Sequence, residues 1–266
     1  MPHLERPDGA RIAWSSDGDQ DAPAVLLVMG LAYPAAMWWR LVPDLATRYR
    51  VLRVDNRGAG LTGDVPGAPY TVQTMAGDCL AVLDAAGVER AHVVGISMGG
   101  LIAQELALTA PERVGSLCLL ATHAGTAHAV WDAEALAMLG NRGEMTAREA
   151  AEMSLPFNYA PLTPRERIEQ DWDVRLPLAA SPAGYLAQLA GASGWSGLER
   201  LGTLRLPTLV VHGELDRLVP PDNGRMVAAA ILGAELELVP GANHLLMTDQ
   251  PELVASSVGG WLDRQP

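Results

Sequence analysis

The segment Gly95-Ile96-Ser97-Met98-Gly99 constrains the fold of this chain more than any other. It follows a short apolar run, Ala91–Val94, and precedes a helical pattern over Gly100–Ala110. A strand that passes into a helix over so few residues needs a strained, tight turn. Side chains at Gly95 and Gly99 would collide with neighbouring backbone in such a turn. Ser97 stands at its tip.

The same texture recurs along the chain. Ala24–Met29, Tyr49–Val54, His92–Gly95 and Ser116–Ala121 read as buried strands. They are short, almost continuously apolar, and bounded by Gly, Pro or Asp. Between them, Trp39–Tyr49 and Thr71–Gly87 carry apolar residues at helical spacing, with Gly87 placed as a stop. Pro207–His212 and Glu235–Val239 add two strands, and Pro251–Asp263 adds a closing helix. Such alternation implies an α/β fold with a doubly wound, mostly parallel sheet.

Residues 123–203 break the pattern. They hold helix-like blocks at Asp132–Leu139, Thr146–Met153, Pro164–Asp173 and Ser181–Ala190, and no convincing strand. Thr146 with Glu149, and Thr163 with Glu166, match capping boxes. A helical cap inserted after the sixth strand is expected here, with 1–122 and 204–266 as the core. A chain of 266 residues, 49% hydrophobic, can bury such a core without disulfides or metals.

Composition narrows the partners. A net charge of −12 argues against nucleic acid, which needs clustered cations, and against anionic membranes. A small-molecule substrate is the expected partner; the sequence carries no signal of oligomeric state. Cys79 and Cys118 lie in apolar periodic segments and read as buried free thiols. No apolar run approaches the ~18 residues of a membrane span. The polar start, Met1–Arg11, has no secretory core, so a cytoplasmic location is the default expectation.

A serine nucleophile needs a base. Of six histidines, His244 lies in Pro240-Gly241-Ala242-Asn243-His244, directly after the last strand. Folds with this elbow carry their partners in the order serine, acid, histidine, so His244 is the expected base. His212 ends a strand and reads as structural. The acid is expected in Gly213-Glu214-Leu215-Asp216, after the preceding strand; Asp216 is the choice and Glu214 its rival. Residues 123–131, the other place for an acid, contain no carboxylate. The oxyanion hole needs two backbone amides. Met98 follows the nucleophile, and Leu31 follows Met29-Gly30 in an early loop.

These pieces resemble the α/β-hydrolase superfamily. The match rests on Met29-Gly30, Asp55-Asn56-Arg57-Gly58-Ala59-Gly60, Gly95-Ile96-Ser97-Met98-Gly99-Gly100, Gly213-Glu214-Leu215-Asp216 and Gly241-Ala242-Asn243-His244. They span nearly the whole chain in the family's order. Within it, the chain is similar to enol-lactonases of the 3-oxoadipate type and to methyl esterases acting on polyketides. Relatives with Asp at the elbow, such as epoxide hydrolases and haloalkane dehalogenases, are excluded by Ser97. Two positions depart from the pattern. Met29 replaces a frequent His, and Thr62 replaces a frequent Ser. Arg57 is expected to bond loop carbonyls behind the oxyanion loop.

The resemblance implies two-step acyl transfer on a fairly apolar ester or lactone, with Ser97, Asp216 and His244 as triad. No cofactor and no metal are expected. Perhydrolysis, carbon–carbon bond hydrolysis and thioester release are alternatives on the same residues. A small-molecule receptor or catalytically silent member is the alternative of another class. Gly30, Leu218 and Leu245 flank the catalytic loops and are expected beside the substrate. Of Trp38 and Trp39, one is expected inside and one toward the pocket. His123 either lines the pocket or stands in solvent. Met138, Met153, Phe157, Trp172, Tyr185 and Trp195 are expected either to wall an apolar site or to pack within the cap.

Overall fold

Strand β3 (Ala24–Val28) explains why the central strands read as unbroken apolar runs. Ala24, Leu26 and Val28 enter one hydrophobic cluster, and Val25 and Leu27 enter another on the opposite face. A strand covered on both faces has no polar side. The computed structural model describes residues 2–142 and 145–266 and contains eight strands in one sheet.

The first half runs β1 (His3–Glu5), β2 (Arg11–Asp17), β3, α1 (Val42–Leu45), β4 (Arg50–Val54) and α2 (Val72–Ala85). It continues through β5 (Ala91–Ile96), α3 (Met98–Thr109) and β6 (Val114–Leu120). Among the described residues six α-helices follow: α4 (Ala133–Asn141), α5 (Ala147–Met153), α6 (Leu155–Asn158), α7 (Arg165–Arg175), α8 (Pro182–Ser193) and α9 (Leu198–Leu201). The chain closes with β7 (Thr208–Gly213), α10 (Asp222–Ala230), β8 (Glu235–Val239), α11 (Leu246–Asp249) and α12 (Pro251–Leu262).

The sheet order is β1-β2-β4-β3-β5-β6-β7-β8. The pairs β1–β2 and β2–β4 are antiparallel and the others parallel. This is the doubly wound, mostly parallel sheet expected. From β3 the chain moves outward to β4, then crosses back to β5 on the other side of β3. The crevice beyond the carboxyl ends of β3 and β5 is therefore the topological switch point, where open α/β sheets hold ligands.

Three local expectations need correction. Strands β1 and β2 were not anticipated, because antiparallel strands at a sheet margin have a wet face and little apolar signal. The helix expected over Trp39–Tyr49 is a 3-10 turn at Ala35–Arg40 followed by the single turn α1. Pro43 has no N–H to donate, so a helix running through it would lose a bond. The Thr146–Glu149 capping box is present, but the Thr163–Glu166 box is not. Pro164 stands at that helix start, and the Thr163 hydroxyl donates instead to Asp249.

Among the described residues of 123–203, the longest sheet-like pairing is one bridge, Gly125–Ser196. Cys79 and Cys118 are buried free thiols. No described helix is long and apolar enough to cross a membrane.

Candidate active site

Ser97 sits at the carboxyl end of β5 with φ 55° and ψ −121°, as the residue preceding α3. The left-handed φ is costly for a residue with a side chain, so its surroundings must enforce it. They do. A Cβ on Gly95 would lie 2.3 Å from the Gly99 carbonyl oxygen. One on Gly99 would lie 2.1 Å from the Val28 carbonyl oxygen. The Ser97 amide donates to the Leu120 carbonyl at 2.9 Å, and the Thr122 hydroxyl donates to the Ser97 carbonyl at 2.7 Å. Met98 opens α3, so its amide belongs to the free N-terminal donors of that helix.

Val28 and Gly95 are register partners, which brings the loop after β3 up beside the serine. A Cβ on Gly30 would lie 3.1 Å from the Ser97 Cβ. The Asn56 side-chain amide donates to the Met29 carbonyl at 2.9 Å and ties this loop from below. Arg57 donates to one loop carbonyl, that of Pro69, at 3.3 Å, and the rest of its guanidinium goes to carboxylates instead. It is fully buried and paired with Asp78 and Asp8. Burial opposes its charge, but those carboxylates hold its pKa above the usual value.

The β7 and β8 loops bring Asp216 and His244 together. The His244 Nδ1 lies 2.8 Å from the Asp216 Oδ2. Asp216 is buried and Glu214 is exposed. The other carboxylate oxygen of Asp216 accepts the Val219 amide at 2.8 Å. Burial would raise the Asp216 pKa, but His244 and His212 hold it below the usual value. His212 Nε2 donates to the Val219 carbonyl at 2.7 Å and lies 3.4 Å from Asp216. His212 thus packs its ring beside the Asp216 carboxylate.

Asn243 fastens the histidine loop. Its side-chain oxygen accepts the Arg217 and His244 amides, and its nitrogen donates to the Pro156 and Tyr159 carbonyls. One amide therefore joins the acid loop, the histidine loop and the helices above them.

Ser97 and His244 line one cavity of about 270 Å³. Gly30, Leu31 and Met98 line it too, as do His123, Met138, Leu218 and Leu245. His123 is buried, its pKa pushed down to about 4 by desolvation. Its Nδ1 accepts the Gly125 amide at 3.0 Å, and its ring meets Trp131 edge-on at 5.1 Å.

A family model described as alpha/beta hydrolase fold matches residues 23–251. The chain belongs to the alpha/beta hydrolase fold family. It is 34% identical over 239 residues to a pimeloyl-acyl-carrier protein methyl ester esterase of Aeromonas hydrophila, covering 86% of this chain and 91% of that one. It is 28% identical over 262 residues to 3-oxoadipate enol-lactonase 1 of Acinetobacter baylyi, covering 96% and 94%. The crystal structure of a hydrolase from Pseudomonas aeruginosa PA01 superposes with a TM-score of 0.85 at 31% identity, covering 98% and 97%.

On this hydrolase fold, seven expected wall residues lie outside the cavity. Trp38 and Trp172 are buried in the core cluster beneath the sheet. The Trp39 indole donates to Asp171 at 3.3 Å under the Arg40 guanidinium. The Trp195 indole donates to Glu105 of α3 at 2.8 Å. Phe157 and Met153 pack with Ala135 behind Met138. The Tyr185 hydroxyl donates to the Leu139 carbonyl at 2.7 Å, and its ring lines a neighbouring cavity. Large side chains with polar tips were drawn to buried partners, which composition does not reveal.

Conversely, Tyr33, Trp131, Arg142 and Asn158 line the cavity although the sequence pattern does not mark them. Tyr33 and Trp131 sit in loops, where no periodicity marks a facing. Arg142 follows α4 directly, where a cation reads as an ordinary helix-end charge.

Proposed function

We propose that this protein is a serine hydrolase that cleaves a carboxylic ester or lactone through an acyl-enzyme. One observation carries the reading. Ser97, on its strained turn, shares a cavity with His244, whose other ring nitrogen is bonded to buried Asp216. That is the nucleophile, base and orienting acid of acyl transfer.

In this reading His244 Nε2 takes the Ser97 proton as Oγ attacks the carbonyl carbon. The oxyanion accepts the Leu31 and Met98 amides, with the α3 N-terminus behind it. Asp216 fixes the His244 tautomer and stabilises its cation. The protonated His244 then delivers its proton to the leaving alkoxide. Water, deprotonated by His244, attacks the acyl-enzyme and restores Ser97. Residues 123–203 serve as a cap, since Met138 and Leu139 of α4 and Leu189 of α8 roof the cavity. Its apolar walls suit a small to medium, fairly apolar group. The esterase and lactonase among the similar proteins support carbonyl chemistry.

A fluorophosphonate probe and a p-nitrophenyl ester series test this reading. Covalent labelling at Ser97, lost in Ser97→Ala together with esterase activity, is expected. Equal labelling of Ser97→Ala, or activity that survives that change, overturns it.

A further inference from the structure

Two guanidinium groups meet at the active-site cavity with no carboxylate paired to them among the described residues. Arg142 lines the cavity that holds Ser97, and it also lines the adjoining one, where Arg175 stands. Both stack on the same ring. The Arg142 guanidinium lies 5.8 Å from the Tyr33 ring centre and the Arg175 guanidinium 4.8 Å. Arg142 is also 5.0 Å from the Tyr185 ring. Tyr33 itself lines the Ser97 cavity, its hydroxyl held by Asn158 at 3.0 Å and by Arg175.

Neither guanidinium has an ion-pair partner among the described residues. Arg175 is 5% exposed, yet its Nε and one Nη have no hydrogen-bond acceptor. Arg142 is half-buried. Desolvation works against its charge and the neighbouring Arg175 cation adds to that, with partial relief from the two tyrosines. This is unusual for the chain. It has 31 acidic residues against 19 basic ones, and every basic residue is Arg. Of the other seventeen arginines, twelve hold a carboxylate among the described residues. A guanidinium cannot shed its proton in such a place, so an uncompensated pair is costly. Aromatic faces recover part of that cost and bring no carboxylate to the planar fork.

We propose that Arg142 and Arg175, across Tyr33, form a subsite for a carboxylate on the substrate. The substrate is then an ester or lactone with a second, free carboxylate remote from the scissile carbonyl. Ser97 and the apolar walls take the acyl portion, and the guanidinium fork takes the charge. Arg142 is the contact from within the cavity. Arg175 adds field and holds Tyr33 in place. This rests on the acyl-transfer reading for the identity of the bond cleaved, though not for the binding of the anion.

Two measurements separate the claims. In the first, Ser97→Ala is titrated calorimetrically with monomethyl dicarboxylates from succinate to suberate. Methyl alkanoates of equal length are the neutral controls. At least one half-ester should bind tenfold or more tightly than its control, and adding Arg142→Gln should remove that preference. In the second, kcat/KM is measured on p-nitrophenyl half-esters and p-nitrophenyl alkanoates. The charged-to-neutral ratio should fall at least tenfold in Arg142→Gln, the size expected for a lost charge-assisted contact. Equal binding of charged and neutral ligands in the titration overturns the subsite, even where esters are hydrolysed. So does a ratio that Arg142→Gln leaves unchanged, or an alkyl phosphate that outbinds every carboxylate. Half-ester binding that depends on Arg142, with no hydrolysis of any ester, upholds the subsite and overturns the acyl-transfer reading instead.

Discussion

The side-chain oxygen of Gln188, on α8, accepts the backbone amide of Ala32 at 2.7 Å. Ala32 has φ 63°, a left-handed conformation that alanine rarely adopts, one residue beyond Leu31. The same side chain donates to the Arg57 carbonyl at 2.5 Å. Gln188 is fully buried. A residue 156 positions away in sequence thus holds the loop whose Leu31 amide is proposed to bind the oxyanion.

Removing this strut should loosen the loop. Gln188→Leu leaves the Ala32 amide and the Arg57 carbonyl without their partner, at a cost of about 1–3 kcal/mol in stability. It should also lower kcat on a p-nitrophenyl ester by more than it changes KM, because the oxyanion forms only in the transition state. Gln188→Glu keeps the acceptor for Ala32 and should retain more kcat than Gln188→Leu. Equal kcat in all three forms would show that the strut does not act on catalysis. Urea unfolding and steady-state kinetics read both effects.

Asp216 and Glu214 offer a direct contrast. Asp216→Asn disturbs the group bonded to His244 and should lower kcat by roughly 10³–10⁴. Glu214 is exposed, and Glu214→Gln should leave kcat within a few-fold of the parent. The reverse ranking would move the acid to Glu214.

Gly30 and Gly99 should fail in different ways. A Cβ on Gly99 would meet the Val28 carbonyl oxygen at 2.1 Å, a backbone atom of a central strand. Gly99→Ala should therefore destabilise the fold by several kcal/mol, or prevent it from forming. A Cβ on Gly30 would sit 3.1 Å from the Ser97 Cβ and 3.7 Å from its Oγ. That requires a shift of only a few tenths of an ångström, but at the nucleophile. Gly30→Ala should keep the unfolding midpoint near the parent value and lower kcat. Thermal unfolding beside kinetics distinguishes the two outcomes.

His123 should make stability depend on pH. In the unfolded chain its imidazole takes a proton near pH 6.5. In the folded protein burial holds protonation off until about pH 4. Between those values the unfolded state binds more protons. The contribution is fully present above pH 6.5 and is lost as pH falls toward 4, on the order of 3 kcal/mol across the window. His123→Gln has no such group. The stability difference between parent and variant, from urea unfolding at pH 7 and pH 4.5, should shift against the parent at the lower pH. A difference that does not change with pH would contradict this.

The sequence determined the sheet and the order in which its loops carry Ser97, Asp216 and His244. Unbroken apolar runs mark strands covered on both faces, and this one-dimensional signal survives without coordinates. The Gly95–Gly99 turn is legible for the same reason, because its geometry is local and sterically exclusive. His244 and Asp216 were legible as loop positions after named strands. Asp216 and Glu214 are carboxylates on one loop, and only the tertiary structure shows that Asp216 is the buried one beside His244. The cavity wall was legible only in part, at Gly30, His123, Met138, Leu218 and Leu245. Trp38, Trp172 and Trp195 carry the strongest apolar signal of the expected lining, and the core or a buried acceptor claims each. Arg142 and Gln188 carry no sequence signal for their positions. Arg142 stands over the Tyr33 and Tyr185 rings, and Gln188 supplies a contact across 156 residues. Both are relations between distant segments, which exist only once the chain has folded.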